Sequence, residues 1–519
     1  PTQSPSARPP SNRSPYPDPL YDDYEQQGLE SSGQVVFGVL EHRNFINNND
    51  RTLRQIPLNY FERRIILGAF ADVTMGYKNY LYLNLQGRND WASSHEKDYR
   101  SLFYPGVSLS FIPTQAFAGL ESKNLNFLKF RVGYGTSANF ATPYSTRPYL
   151  TLGANSGVDG LGNVITLSLP ELLANPDLRP ELQKEFEAGF DIRLFQNRFG
   201  IDFSYYNRTA EDQIVARPLD PSTGFDQTYI NAGTISNKGV EIGASITPVR
   251  IGDFSWNLRA NFTKNISKVE ELPEGSEEIL ISGFTNLGNF AIKGQPYGVI
   301  KGTYAVRNGA DGRTGELLIT SNGDYKISGE IGIIGDPNPD YMVSGFTDFN
   351  WKGLTIGGQM DFVKGGDIYS FSAAALVGRG VAKELEDFNP ELPVILPGVL
   401  EETGQPNNIP QPASGVFFAN TIIGGGPDDR GIFDGTRLRL REVSISYDIP
   451  KSVFGASSFI EGVSISVVGN NMWFRAFNTP KYSKVDPDRT AFGTNNGLGF
   501  DFLGGPSARR YGMNVKVNF

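Results

Sequence analysis

The chain has 519 residues, 39% hydrophobic and 20% charged, with a net charge of −9. Its length leaves core area unlimiting, its acidic balance supplies no basic field for nucleic acid, and no run of about 18 apolar residues offers a transmembrane helix. The lack of cysteine removes disulfides, thiolate metal sites and cysteine nucleophiles together.

Residues 1–33 are a Pro- and Ser-rich segment. PTQSPSARPPSNRSPYPDP (1–19) has no apolar h-region and reads as extended chain rather than a signal peptide. It opens on Pro and not on Met, which predicts a processed product or a fragment. From 34 to 519 the pattern becomes period-two alternation, beginning with a strand near 35–46. NYLYLNLQGRN (79–89) sets Leu81, Leu83 and Leu85 against Asn84, Gln86 and Arg88. YPGVSLSFIP (104–113) sets Val107, Leu109 and Phe111 against Ser108 and Ser110. LKFRVGYG (128–135) sets Phe130, Val132 and Tyr134 against Lys129 and Arg131. FGIDFSYYNRT (199–209) sets Ile201, Phe203 and Tyr205 against Asp202 and Ser204. GVEIGASITPV (239–249) sets Val240, Ile242, Ala244 and Ile246 against Glu241 and Ser245. FSWNLRANFTKN (254–265) sets Trp256, Leu258, Ala260 and Phe262 against Asn257, Arg259 and Asn261. VSISVVGNN (463–471) sets Val463, Ile465 and Val467 against Ser464 and Ser466. The chain closes on RRYGMNVKVNF (509–519), with Tyr511, Met513, Val515, Val517 and Phe519 on one face and Gly512, Asn514, Lys516 and Asn518 on the other.

About fourteen such strands are expected, each near the nine to twelve residues that cross a bilayer at a tilt and longer than soluble sandwich strands. Short links at 76–80, 195–200 and 250–255 predict tight hairpins. Long links at 154–180, 271–283, 308–341, 365–436 and 475–507 predict loops, the longest with a short helix around 373–388. Short turns at one end, long loops at the other and a mid-strand polar face suited to water predict an all-β fold, a transmembrane antiparallel β-barrel. The 36 Phe and 23 Tyr suit its strands and interfacial girdles. Arg131, Asp202, Glu241, Asn257 and Arg259 are the candidates for lining its lumen.

No chemistry-bearing constellation stands out. No G-x-S-x-G elbow occurs, and the Gly-rich stretches at 424–429 and 497–505 lack a phosphate-binding frame. His42 and His95 have no partner at metal spacing and read as surface or lumen residues. No cofactor, catalytic or metal site is expected. Asn207, Asn261 and Asn265 stand in N-x-S/T sequons, but inside predicted membrane-spanning strands, where a sequon carries no meaning for glycosylation.

Several segments together resemble the SusC/RagA-type TonB-dependent transporters of Bacteroidota outer membranes. NPDLRPELQKEFEAGFDIRLFQNRFGIDFSYYNRT (175–209) is similar to the family's NP-x-L lead-in with its strand, turn and strand. NAGTISNKGVEIG (231–243) resembles N-x-G-x-I-x-N-K-G-x-E. GDPNPDY (335–341) with KGGDIYS (364–370) resembles G-x-P-x-P-x-Y followed by G-x-D-I-Y. DGTRLRLREVSISYDIP (434–450) and GNNMWFRAFNTPKYSKVDPD (469–488) resemble the family's late strands. The matches run in family order over roughly 60–519.

The resemblance implies the C-terminal part of a barrel of about 22 strands, with plug and first strands lying elsewhere. It implies import of oligosaccharides or oligopeptides, TonB acting through a plug, a SusD-like surface lipoprotein as partner, and contact with lipid and lipopolysaccharide. It also implies that the strand ending in Phe519 is read by the barrel-assembly machinery. The family's acidic D-x-N-G-D-G-x-I loop is degraded here to TSNGDYKISGE (320–330), leaving too few carboxylates for calcium even with Asp311 and Glu316 nearby. The alternatives are a passive, plugless outer-membrane channel and a soluble β-rich adhesin.

Overall fold

The computed structural model describes residues 63–519, apart from 154–157, 160–161, 164–165, 169, 274, 387–388, 390, 414–424, 456–458 and 493–496. The segment 1–33, the strand expected near 35–46 and His42 lie outside the described residues. A 13-stranded sheet dominates, its strands hydrogen-bonded in chain order. They are β1 (Ile66–Tyr77), β2 (Leu81–Ala92), β3 (Ser101–Phe111), β4 (Leu125–Asn139), β5 (Glu181–Leu194), β6 (Phe199–Glu211) and β7 (Thr234–Ile251), then β8 (Phe254–Glu271), β9 (Pro339–Trp351), β10 (Leu354–Gly365), β11 (Arg437–Ile449), β12 (Gly462–Ala476) and β13 (Arg510–Asn518). Every pairing is antiparallel, as hairpin connectivity requires. β7 and β8 reach 18 residues each, longer than the alternation alone indicates, because both extend past the apolar band toward the long loops.

Register turns this alternation into two continuous faces. Across nine strands the paired residues run Phe111, Phe130, Phe190, Phe203, Ile242, Phe262, Val343, Phe362 and Leu438. Phe190 and Phe203 stack at 5.3 Å within this row. A one-residue slip anywhere would move the whole apolar set to the polar face, so the two-faced pattern itself holds the register.

At one end of the sheet the connections are tight. Lys78 and Asn79 (φ 45° and 59°) turn β1 into β2, and Lys352–Gly353 (φ 47° and 85°) turn β9 into β10, both in the left-handed conformation that matches strand twist. The same end carries an aromatic belt on the apolar face. Trp256 stacks on Phe349 at 5.5 Å and donates its indole N–H to Thr347 Oγ1 at 3.0 Å, with Phe254 and Trp351 alongside. Phe519 stacks on Phe459 at 5.7 Å at this end. Such an arrangement suits rings that are apolar in the body and polar at the tip.

Long excursions leave the opposite end at 140–180, 212–233, 272–338, 366–436 and 477–509. The 212–233 connection, with the hairpin Ile214–Pro218 and Gln227–Asn231, has no counterpart among the loops read from the sequence. Where the sequence pattern separates 271–283 from 308–341, the structure has one excursion. Its strands Glu278–Phe284, Leu287–Ile292, Val299–Gly302 and Gly332–Gly335 pair with each other and not with the wall. Strands of four to seven residues are too short to cross a bilayer, and the middle two are buried on both faces. The helix expected over 373–388 spans Phe371–Gly378, and Gly380 at φ 69° stops it.

Candidate transport wall and loop cap

Arg131, Asp202, Glu241, Asn257 and Arg259 all lie on the polar face of the sheet. Pairing carries that face from Arg131 to Gly189, then Ser204, Glu241 and Thr263. Asp202 lies two residues from Ser204, and Asn257 and Arg259 follow at even spacing from Thr263, so period two keeps them on the same side. Arg131 and Asp202 form a two-pronged pair at 2.8 and 3.0 Å, and Arg131 also lies 3.3 Å from Glu187. That guanidinium crosses β5 over Gly189, where a Cβ would meet it at 3.0 Å. Asn257 donates to Asp348 at 2.7 Å and accepts from Thr247 at 2.8 Å. Arg259 lies more loosely, 3.8 Å from Asp348 and over the Phe346 ring.

Glu241 differs from the other four charged or amide groups. It is exposed and has no ion pair among the described residues. It borders a polar cleft of about 410 Å³ with Glu185, Glu187, Tyr206, Arg208 and Asn265. Arg208 is paired with Glu185 at 2.5 Å, and the Tyr206 hydroxyl donates to Asn265 at 3.0 Å. Tyr206 lies across Gly239, whose added Cβ would fall 2.4 Å from the hydroxyl, so glycine is required there. The cleft therefore holds fixed, self-satisfied polar groups around one unengaged carboxylate.

Where the wall meets the loops, odd-numbered Arg437, Arg439 and Arg441 are followed by odd-numbered Val443, Ile445 and Tyr447. Unbroken alternation would put all six on one face. A bulge between Leu440 and Glu442 resolves the conflict by reversing the parity. The arginines then meet acids, while Val443, Ile445 and Tyr447 join the apolar face. Arg439, 3% exposed at its side chain, is ion-paired with Asp486 and lies 2.8 Å from Asp488. Asp488 also takes Arg437 at 2.6 Å and Arg441 at 3.3 Å, and Arg441 reaches Asp361 at 2.7 Å. The VDPD segment (485–488) is thus the clamp that fixes the 477–509 excursion to β11, whose Arg441 is in turn tied to Asp361 of β10. Sequence reading registered both motifs but not that they bind each other.

Three of the excursions, 272–338, 366–436 and 477–509, share one core. Leu287, Ile300, Tyr369 and Phe500 are buried together, with Phe371, Phe492 and Phe502 packed around them. Ring centroids in this cluster stand 5.2 to 5.9 Å apart. Ser370 and Ser372 both donate to Asp501, at 2.7 and 2.9 Å, and Ser370 caps the helix by accepting from the Ala373 amide. The GDPNPDY and KGGDIYS motifs form the corner beneath. Gly366 at φ 77° passes so close to Pro337 that a Cβ would meet its carbonyl at 3.0 Å. Burial, together with the nearby Asp434, Asp336 and Asp340, pushes the Asp367 carboxyl up from its usual range. Burial likewise raises Asp428 and Asp429, whose carboxylates accept from the Thr303 and Ala305 amides at 2.9 and 3.1 Å.

His95 is a correction. Expected on the surface or in the lumen, it is 4% exposed, because Phe140 from the next excursion packs on its ring at 5.6 Å while Thr146 bonds to Ser94 and Glu96 on either side. Its Nδ1 lies 3.3 Å from Ser94 Oγ, and burial pulls its pKa down to about 4. Arg64 approaches from just ahead of β1, and Glu96, paired with Arg147, lies beside it. The opened loop binds a proton below about pH 6.5, whereas the closed loop does so only near 4. Closure is therefore fully stable above 6.5 and weakens as pH falls through that window, by at most about 3 kcal/mol. The protection factors of amides 140–146, taken relative to the unfolded-chain exchange rate at each pH, are expected to fall between pH 7 and 5, and His95→Gln to flatten that dependence.

In the segment weighed for calcium, Asp311 Oδ1 accepts from the Arg313 and Thr314 amides and the Thr314 hydroxyl, and Asp324 accepts from Gln411. Among the described residues no group of three or more potential ligands converges on one point.

A sheet with one apolar, aromatic-bounded face and one charged face, tight turns at one end and folded loops at the other, defines the wall of an outer-membrane β-barrel. The chain belongs to the TonB-dependent receptor-like β-barrel family, whose profile matches residues 3–382. It is 26% identical to TonB-dependent receptor P3 of Formosa agariphila over 535 aligned positions, covering 96% of this chain and 50% of the relative. It is 24% identical to TonB-dependent receptor SusC of Bacteroides thetaiotaomicron over 44% of this chain and 23% of SusC. The structure of the RagAB peptide transporter superposes with a TM-score of 0.66 at 21% identity, covering 88% of this chain and 48% of that one. The chain thus spans about half the length of the curated relatives it matches over most of its own length. Membership of this β-barrel family removes the soluble adhesin from consideration.

Proposed function

We propose that this chain forms part of the wall, and the external loop cap, of a TonB-dependent importer of the SusC/RagA type. The observation that carries this reading is the pairing of a charged, cleft-bearing inner face with an apolar outer face beneath a packed cap. In this reading the barrel is completed to about 22 strands by segments outside the described sheet, since β1 and β13 each have a single partner among the described residues. A plug coupled to TonB occupies the lumen. The loop cap meets a SusD-like lipoprotein, and the substrate is an oligosaccharide or an oligopeptide. Tyr511, Met513, Val515 and Val517, 36 to 70% exposed, present the assembly signal together with Phe519.

On the inner face Arg131, Asp202 and Asn257 serve as wall ions and amides satisfied by each other and their neighbours, while Glu241 and the loosely held Arg259 meet cargo. The test is uptake of labelled oligopeptides and oligosaccharides by cells carrying the full-length protein, with and without TonB. Uptake of one class is expected to vanish without TonB. Uptake that persists unchanged without TonB would establish the passive channel instead. Glu241→Gln is expected to change the half-saturation of uptake without changing barrel stability.

A further inference from the structure

The apolar face is interrupted at its loop-side end by lysines. Lys238, in the NKGVEIG segment, pairs across the sheet with Ile266 and Asn207, and Lys264 pairs with Val240. Both therefore share a face with Val240, Ile242, Phe262 and Ile266, and both are exposed. In the register of β7 and β8 they are diagonal neighbours, with Cα atoms about 7 Å apart. Lys264 stands eight residues from the belt residue Trp256, a climb of roughly 21 Å at strand rise and barrel tilt, which is near the upper edge of a 25 Å apolar band.

The charges around them are already committed. Lys268 is paired with Glu270 at 2.8 Å, and Ser236 Oγ donates to the same carboxylate at 2.7 Å. Lys184 is paired with Glu211 at 2.6 Å. Lys238 and Lys264 have no ion pair among the described residues. Two adjacent ammonium groups, with only Glu270, already paired with Lys268, acting on Lys238 from beyond ion-pair distance, repel each other on a face that otherwise meets hydrocarbon. A phosphate bridging them relieves that repulsion, and at this height the phosphate lies at the headgroup level of the loop-side leaflet.

We propose that Lys238 and Lys264 form a binding site on the outside of the wall for the phosphate of a phosphorylated glycolipid in the outer leaflet, whose acyl chains lie along Val240, Ile242 and Phe262. This rests on the assignment of the apolar face to lipid. The site is separate from the inner cleft and the cap, so uptake and lipid binding fail independently.

The test uses the full-length protein in nanodiscs, titrated with bisphosphorylated lipid A, with its dephosphorylated form, with phosphatidylglycerol and with inorganic phosphate. Bisphosphorylated lipid A is expected to bind about thirtyfold more weakly to the Lys238→Ala, Lys264→Ala double variant, and to retain its affinity for the double Arg variant. Heat-modifiable migration of both variants checks that the barrel is folded. Equal binding to the double Ala variant, or equal affinity for dephosphorylated lipid A, would overturn the proposal. Phosphatidylglycerol binding as tightly, or inorganic phosphate competing as well, would overturn the assignment to a glycolipid. Should transport also prove TonB-independent, the lipid result stands, because it depends only on the outer face.

Discussion

Arg439→Ala is expected to destabilise the anchoring of the 477–509 excursion by about 3–5 kcal/mol. The substitution leaves Asp486, 7% exposed, without its ion pair, and deprives Asp488 of one of three arginines. An unpaired charge in that position costs far more than the lost pair contributed, since each carboxylate was desolvated on folding. Limited proteolysis is expected to cut within 477–509 in the variant and not in the parent. The thirteen-strand sheet should survive, because β11 and β12 remain held by their backbone ladder. The Arg439→Ala, Asp486→Ala double variant should lose less than the sum of the single changes, as expected of groups in contact. Equal protease resistance of parent and single variant would show that the clamp does not hold the loop.

The second large effect separates the two faces. Ala260 and Asn261 are consecutive and both exposed, but they point to opposite sides of β8. Ala260 faces Ala244 and Gly345, well inside the apolar band. Ala260→Arg is expected to cost about 2–4 kcal/mol of folding into a bilayer, the range for a guanidinium near the midplane of a barrel's lipid face. Asn261→Arg should be tolerated within about 0.5 kcal/mol, since its side chain enters the polar face. Refolding titrations of the full-length protein into lipid vesicles measure both. Equal tolerance of the two changes would mean that the apolar face does not meet lipid.

Much of this wall was legible in the chain, because a strand between hydrocarbon and water must alternate, and alternation is a local signal. Phe203 against Ser204 and Phe262 against Asn261 need no knowledge of their neighbours. The five polar-face candidates were found by the same rule. It could not rank them, since the rank depends on cross-strand partners. Arg131 meets Asp202 from 71 residues away, whereas Glu241 meets no cation at all among the described residues. The 272–338 excursion misled the pattern for a related reason. A short strand buried in a loop core is as apolar as a wall strand, and only its partner shows which sheet it joins.

The amino-acid sequence by itself determined the two-faced strands, the tight turns at one end, the long loops at the other and the family to which they belong. Tertiary structure alone decided the bulge that turns Val443 outward, the clamp of Arg439 on Asp486, the burial of His95 beneath Phe140, and the exposure of Lys238 beside Lys264 with no ion pair among the described residues. Each of these depends on residues brought together by register or by loop packing across dozens of positions. Period-two patterning carries no information about contacts at that range, whereas the hydrogen-bonded ladder and the shared aromatic core fix them.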